Sequence, residues 1–282
     1  MPLRRYVDAF EALHRKYHRR QFVHPDPLEF LYGYENPADR EVVGLIASSL
    51  AYGRVAQILR SVRLVLDALG PSPARTLRDG HSRPWRGPLA GFAHRFAKAP
   101  QIDALLAGIS GVLARHGTLG RCFADCIGRD DRTVLPALAV FVRRLDEAGG
   151  GRAGHLLSHP QTGSACKRLN LYLRWMVRKD DVDPGGWEGI LPAMLVVPLD
   201  VHMFRIGRST GAIRRKTPDG KAALELTAAF AAISPADPVR YDFCLTRPGI
   251  RGEPGLEGII PARTTAPNGK PSMRRAGKRH DA

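Results

Sequence analysis

The chain has 282 residues and a mass of 30.9 kDa, enough to bury a real core and too much for a peptide-like module. Hydrophobic residues make up 44% and charged residues 25%, a globular balance that excludes wholesale disorder, and no apolar run reaches the roughly 18 to 20 residues of a membrane span. Lys and Arg outnumber Asp and Glu by 43 to 27, giving +16 and a sequence pI near 10.4, the balance of a protein that meets a polyanion.

Met1 to Arg20 is too charged for a secretory signal, so the expected compartment is the cytosol. Helical spacing dominates from there. Helices are expected over Arg5 to Tyr17 and from Asp39 onward, where Val42, Leu45, Ile46 and Leu50 share one face. A second face, Val55, Ile58, Leu59, Val62, Leu66 and Leu69, follows a break near Tyr52 and Gly53, and Gly70 and Pro71 stop it. Further helices are expected over Ile102 to His116, Leu119 to Ile127 and Thr133 to Glu147, the last ending in a Gly149-Gly150-Gly151 hinge. Beyond it come Cys166 to Arg178, Gly220 to Ile233 and Pro238 to Leu245. Alternating segments are nearly absent, so the fold class is all-α. The composition shifts from Gly252 to Pro, Gly, Thr and basic residues, which predicts a basic disordered tail over 256–282 after a folded domain over 1–255. The 32 residues from Arg251 carry seven basic and three acidic side chains, so +12 of the charge stays on residues 1–250.

Four cysteines, Cys122, Cys126, Cys166 and Cys244, are too scattered for a disulfide scaffold, and none has partners at metal-ligand spacing. They read as small core residues, and no metal is expected. In VVPLDVHMFRIGRSTG, Val196 to Gly211, an apolar approach leads through Pro198 to Asp200, which stands where a helix opening at Val201 needs its N-cap. Capping is the plain role. The apolar lead-in also makes a partly desolvated carboxylate beside helix N–H groups able to hold a phosphate.

The segment PLDVHMFRIGR is similar to the Val/Pro-x-Asp-x-His-x-x-Arg segment of the helix-hairpin-helix base-excision DNA glycosylases, the endonuclease III and oxoguanine glycosylase superfamily. GSACKRLNLYL resembles that superfamily's Gly-x-Lys-x-x-Asn-x-x-Leu helix opening, through Gly163, Lys167 and Asn170. The 33 positions from Lys167 to Asp200 resemble the wide spacing of archaeal oxoguanine glycosylases, the extra length being RKDDVDPGGWEGILPAM. ADREVVGLIASSLAYGR and RYDFCLTRPGI resemble the early and last core helices, and residues 1 to about 255 most closely resemble a little-characterised bacterial family assigned to this superfamily. The resemblance implies a two-lobed helical fold, its lobes meeting near 148–165. The hairpin is degenerate: HPQTGSACK offers Pro160 and Gly163 where relatives read Leu-Pro-Gly-x-Gly. Tyr52, Gly53 and Arg54 stand where many members have a Gln-rich helix end, and the four-cysteine iron–sulfur run of some relatives is absent.

The resemblance implies a monomeric, cofactor-free enzyme that cleaves the N-glycosidic bond of a damaged base in double-stranded DNA, with no membrane partner. Asp200 is then the catalytic carboxylate, which stabilises positive charge developing on the sugar. Lys167 is the amine that attacks the sugar carbon and forms a Schiff base, giving lyase activity. Gly163, Ser164, Arg54, Arg168, His202, Arg205 and Arg208 are the candidate nucleic-acid contacts, with a solvated face as the plainer role for the arginines. Tyr52 and Trp175 are the candidate walls of a pocket for the extruded base, with Trp187 and Phe243 also in view, although aromatics at helical spacing usually pack in a core. Two other readings stay open: a binding module on the same fold without turnover, and an RNA-directed protein.

Overall fold

The computed structural model describes residues 2–253. The expected tail over 256–282 lies outside the described residues. Eleven α-helices follow in order among them: α1 (Val7–Tyr17), α2 (Pro37–Ser49), α3 (Val55–Leu69), α4 (Pro73–Arg78), α5 (Ala99–His116), α6 (Leu119–Ala124), α7 (Leu135–Ala148), α8 (Lys167–Val177), α9 (Val201–Thr210), α10 (Gly220–Ala231) and α11 (Asp242–Arg251). The architecture is mostly helical, as the periodicity predicts, with one addition. Two-residue strands β1 (Ala93–His94) and β2 (Ala97–Lys98) pair antiparallel between α4 and α5, too short to leave any alternating pattern in the sequence. No helix among the described residues is long and apolar enough to cross a membrane.

Helix α2 is the axis of the molecule. Asn36 caps it by accepting from the Ala38 N–H at 2.9 Å, with Pro37 pre-set for the first turn. The expected face, Val42, Leu45, Ile46 and Leu50, is fully buried, and so are Val43 and Ala47 on the other sides. A helix buried all round needs neighbours all round, and α3, α4, α6, α8 and the 3₁₀ turn Pro27–Gly33 supply them. Of its two buried carboxylates, Asp39 accepts from the Ala74 N–H at 2.8 Å, and Glu41, 3% exposed, takes up three donors at once. These are the Leu119 and Gly120 N–H groups at the start of α6, at 2.7 and 2.8 Å, and the Trp187 indole at 2.9 Å.

Helices α5 and α7 approach backbone to backbone through glycine. A Cβ on Gly108 would stand 2.3 Å from the Leu145 carbonyl oxygen, and one on Gly149 2.3 Å from that of Ala104. Gly149, expected as part of a hinge, is therefore also a packing surface. The described residues share one hydrophobic cluster that runs from Leu3 to Leu245.

Two expectations change. The segment 178–194, polar in composition with a short apolar end, stays an irregular connection with 179–181, 188 and 189 exposed, but it is anchored inward: Asp183 and Val182 are fully buried and Trp187 is 8% exposed. The reason is pairing, since Asp183 accepts from Arg174 at 3.1 Å and from Arg178, and Gly185 and Trp187 donate their N–H groups to the Trp175 and Met176 carbonyls. The last helix begins at Asp242 rather than Pro238 and continues through Pro248 to Arg251. Arg178 holds Asp237 at 3.0 Å, and the Asp237 side chain and carbonyl accept from Val239 and Arg240, so that stretch closes as a tight turn instead.

Replacing Glu41 by Ala leaves two helix N–H groups and an indole without an acceptor in a dry interior. The variant should lose at least about 3 kcal/mol of stability in urea unfolding, and Glu41→Gln should lose less because its amide oxygen still accepts.

Candidate functional site

Asp200 is the N-cap of α9, as the sequence predicts. Its backbone is extended (φ −102°, ψ −175°), and its Oδ1 accepts from the Met203 N–H at 2.8 Å. Val196, Val197 and Leu199, the apolar approach, are buried, and they bring the carboxylate to a half-buried position with one oxygen committed to the cap. On the next turns His202, Arg205 and Arg208 are exposed. The His202 ring lies against Gly249 of α11, and Arg208 donates to the Arg214 carbonyl at 2.6 Å, closing the turn after the helix.

Lys167 is the first residue of α8 and is half-buried. The approach to it is unusual, because its N-cap Cys166 sits in the left-handed region (φ 45°, ψ 37°) with no glycine to relieve it. Local bonds hold that conformation. Ser164 Oγ accepts from the Cys166 N–H at 3.1 Å, Asn170 donates its side-chain amide to the Ala165 carbonyl at 3.0 Å, and Gly163 accepts from the Gly220 N–H at 2.9 Å. Gly163 itself ends the 3₁₀ turn Pro160–Thr162 at φ +81°. Ser164 is thus spent on the turn into α8, whereas a Cβ at Gly163 would meet open space.

Between Lys167 and Asp200 the described residues show no hydrogen bond or ion pair. Their connection runs through α8. Arg174, two turns after Lys167, donates to the Asp242 carboxylate, and burial pushes Asp242 up to about 6, with the Asp200 charge adding to the rise against the pull of Arg174. Asp200 therefore lies within electrostatic reach of a carboxylate that α8 holds.

Arg168 differs from the expectation of a phosphate contact. Its guanidinium turns inward, donating to the carbonyls of Ser49 and His155 and lying 4.8 Å from the centre of the Tyr52 ring. Those carbonyls are left over at the end of α2 and in the turn before α8, so the charge is consumed by the backbone. Trp175 likewise corrects the expectation of a pocket wall: it is 1% exposed and belongs to the core, as do Trp187 and Phe243. An indole packed all round has no open side for a base. Tyr52 keeps its place at the surface, half-buried at the break between α2 and α3, with Arg54 exposed two residues on.

No spacing or motif signals what surrounds Tyr52. Its hydroxyl donates to the His94 carbonyl at 3.0 Å and pairs with His155 Nε2 at 2.8 Å, which makes Nε2 the protonated nitrogen of His155. His94, fully buried, meets the Tyr52 carbonyl through Nε2 at 3.1 Å and Ser61 Oγ through Nδ1 at 2.9 Å, a set of partners that suits the neutral ring. Burial lowers the pKa of both histidines below the ordinary value. For His155 the positive charge of Arg168 adds to that lowering. No group of metal-ligating side chains occurs among the described residues.

The family model described as "Protein of unknown function (DUF2400)" matches residues 26–251. No curated protein and no solved structure matches the chain.

Because the folded state favours neutral His94 and His155, the stability they contribute is present above their ordinary value of 6.5 and is lost as pH falls through their lowered values. NMR titration should find the His155 midpoint below 6.5, and Arg168→Met should move it upward. A midpoint that ignores the loss of Arg168 would contradict the contact.

Proposed function

The chain belongs to the DUF2400 family, and on the geometry above we propose that it is a DNA glycosylase of helix-hairpin-helix type that removes a damaged base from duplex DNA. The observation that carries this reading is the position of Asp200, a half-buried carboxylate delivered by a buried apolar segment to the positive end of α9, with exposed His202 and Arg205 beside it. The mostly helical architecture, the amine that opens α8 and the net charge of +16 support it.

In this reading the extruded nucleotide loses its base by cleavage of the N-glycosidic bond, whose electron pair leaves with the base. Positive charge then develops on the sugar, and the free oxygen of Asp200 stabilises it. Lys167 in its unprotonated form attacks the same sugar carbon. Ring opening gives a Schiff base, and loss of a proton from the adjacent carbon expels the 3′ phosphate and nicks the strand. Arg54, Arg205 and the open side of Gly163 serve the backbone of the duplex, and Tyr52 stands at the edge of the base site.

One observation favours a second reading, a binding module without turnover. The approach to Lys167 has a single glycine, and Cys166 occupies a left-handed position that glycine would fill without strain. Borohydride trapping separates the two. Incubation with duplex DNA carrying an abasic site or 8-oxoguanine should yield a covalent adduct that Lys167→Gln cannot form. Asp200→Asn should slow excision by about 10²–10³-fold, the usual effect of removing one group that stabilises transition-state charge, while duplex binding is kept. Intact binding with no adduct and no excision on a broad lesion panel would leave the binding module as the function.

A further inference from the structure

Among the large apolar side chains exposed in the described residues, Phe96 is the most exposed, at 74%, and the one aromatic. It occupies the two-residue turn between β1 and β2, where His94 pairs with Ala97. Such turns favour glycine, asparagine and aspartate. Here the first turn position is Arg95, held at φ 52°, and the second is a bare phenyl ring.

The tip is held firmly from behind. The stem of Arg95 lies across Gly53, where a Cβ would stand 2.7 Å from Arg95 Cδ, and the φ of +100° at that position favours glycine in any case. His94 and Ala97 are fully buried, and the His94 carbonyl accepts from Tyr52. The His155 ring meets Phe96 edge-on at 6.4 Å. His155 in turn joins Tyr52 and Arg168, the residue next to Lys167. The Arg95 guanidinium lies 5.5 Å from the ring centre, and two further exposed cations flank the same elements, Lys98 at the end of β2 and Arg54 next to Gly53; none of the three is ion-paired among the described residues.

We propose that Phe96 is a wedge that enters the base stack of duplex DNA next to the vacated nucleotide, while Arg54, Arg95 and Lys98 hold the flanking phosphates. The assignment rests on the DNA reading above and adds the residue that fills the gap. A hairpin tip that carries one exposed apolar ring beside the Arg95 guanidinium, with Lys98 and Arg54 on the adjoining segments, matches a phosphate backbone with a π-stack between its strands. A protein partner would call for a contiguous apolar patch, and the groups shown against this ring are a guanidinium and an imidazole.

The test uses the full chain and a duplex with 2-aminopurine beside an abasic-site analogue. The wild type should bind and brighten 2-aminopurine by unstacking it. Phe96→Ala should lose most of the brightening and bind about tenfold more weakly, as loss of one stacked aromatic predicts. Phe96→Trp supplies a second readout, because the three native tryptophans are at most 8% exposed and the new indole should be quenched by the duplex. Duplex binding with undiminished brightening in Phe96→Ala and an unquenched indole in Phe96→Trp overturns the wedge and leaves the DNA reading standing. Failure of the wild type to bind duplex DNA, or a preference for single-stranded RNA at matched salt, overturns both.

Discussion

A guanidinium with 3% exposure cannot be left alone in a protein interior, and Arg174 is such a group. Its partners come from opposite directions in the chain, Asp183 from the excursion after α8 and Asp242 from the start of α11. Arg178, one turn on, repeats the device with Asp180, Asp183 and Asp237. Removing Arg174 strands the buried Asp242 carboxylate, at a cost of about 3–5 kcal/mol, and the shared Asp183 ties the two arginines into one arrangement of α8 against these segments. What the network contributes is placement more than net stability, since ion pairs of this kind gain little over a packed apolar set. Both candidate reacting groups depend on that placement. Lys167 opens the helix that Arg174 and Arg178 anchor, and Asp200 follows the excursion whose far end Asp183 ties down.

Glu41 does for the other face of the excursion what Arg174 does for the first. Its carboxylate joins α2 to the start of α6 and to Trp187, whose ring stacks on Phe123 at 5.3 Å and meets Tyr172 of α8 edge-on at 5.2 Å. Burial pushes the Glu41 carboxyl up, and its three N–H donors pull the other way by stabilising the ionised form. The excursion between Lys167 and Asp200 is thus irregular in backbone yet tied at Asp183 and Trp187 to the helices around it. A long connection between two candidate reacting groups is compatible with a defined geometry only when it is pinned at several points, and here it is pinned from α2, α8 and the turn at Asp237.

Helical periodicity made most of this architecture legible in advance, because amphipathic spacing survives in any sequence whose helices pack on one core. The break at Tyr52 and Gly53, the stop at Gly70 and the cap at Asp200 were readable for the same reason: each is a local choice between side chain and backbone. The hairpin was not, since two-residue strands carry no period, and the meaning of Arg95 and Phe96 exists only once Gly53 is brought beneath them. Trp175 and Tyr52 look alike in sequence, aromatics near the expected site, yet one is sealed by packing on every side and the other sits where two helices part. Arg168 shows the same limit for charge. A guanidinium beside Lys167 reads as a phosphate contact until the unpaired carbonyls at the end of α2 are placed within its reach.

The hairpin before Lys167 raises a more particular point. Where a backbone must approach a phosphate closely, glycine removes the Cβ that would stand in the way. This chain has one glycine there, Gly163, whose missing side chain faces open space, and it reaches α8 through a left-handed cysteine. The cost of that conformation, of order 1–3 kcal/mol, is offset by Ser164, Asn170 and the Gly163 carbonyl, each bonded locally or to α10. Since Cys166 is 3% exposed and its thiol donates to the Ser158 carbonyl, its side chain packs inward and leaves the outer surface of the turn bare. On the proposed DNA reading, a turn braced from within offers a backbone phosphate only the open side of Gly163, which shifts the demand for charge to the exposed cations Arg54, Arg95 and Lys98.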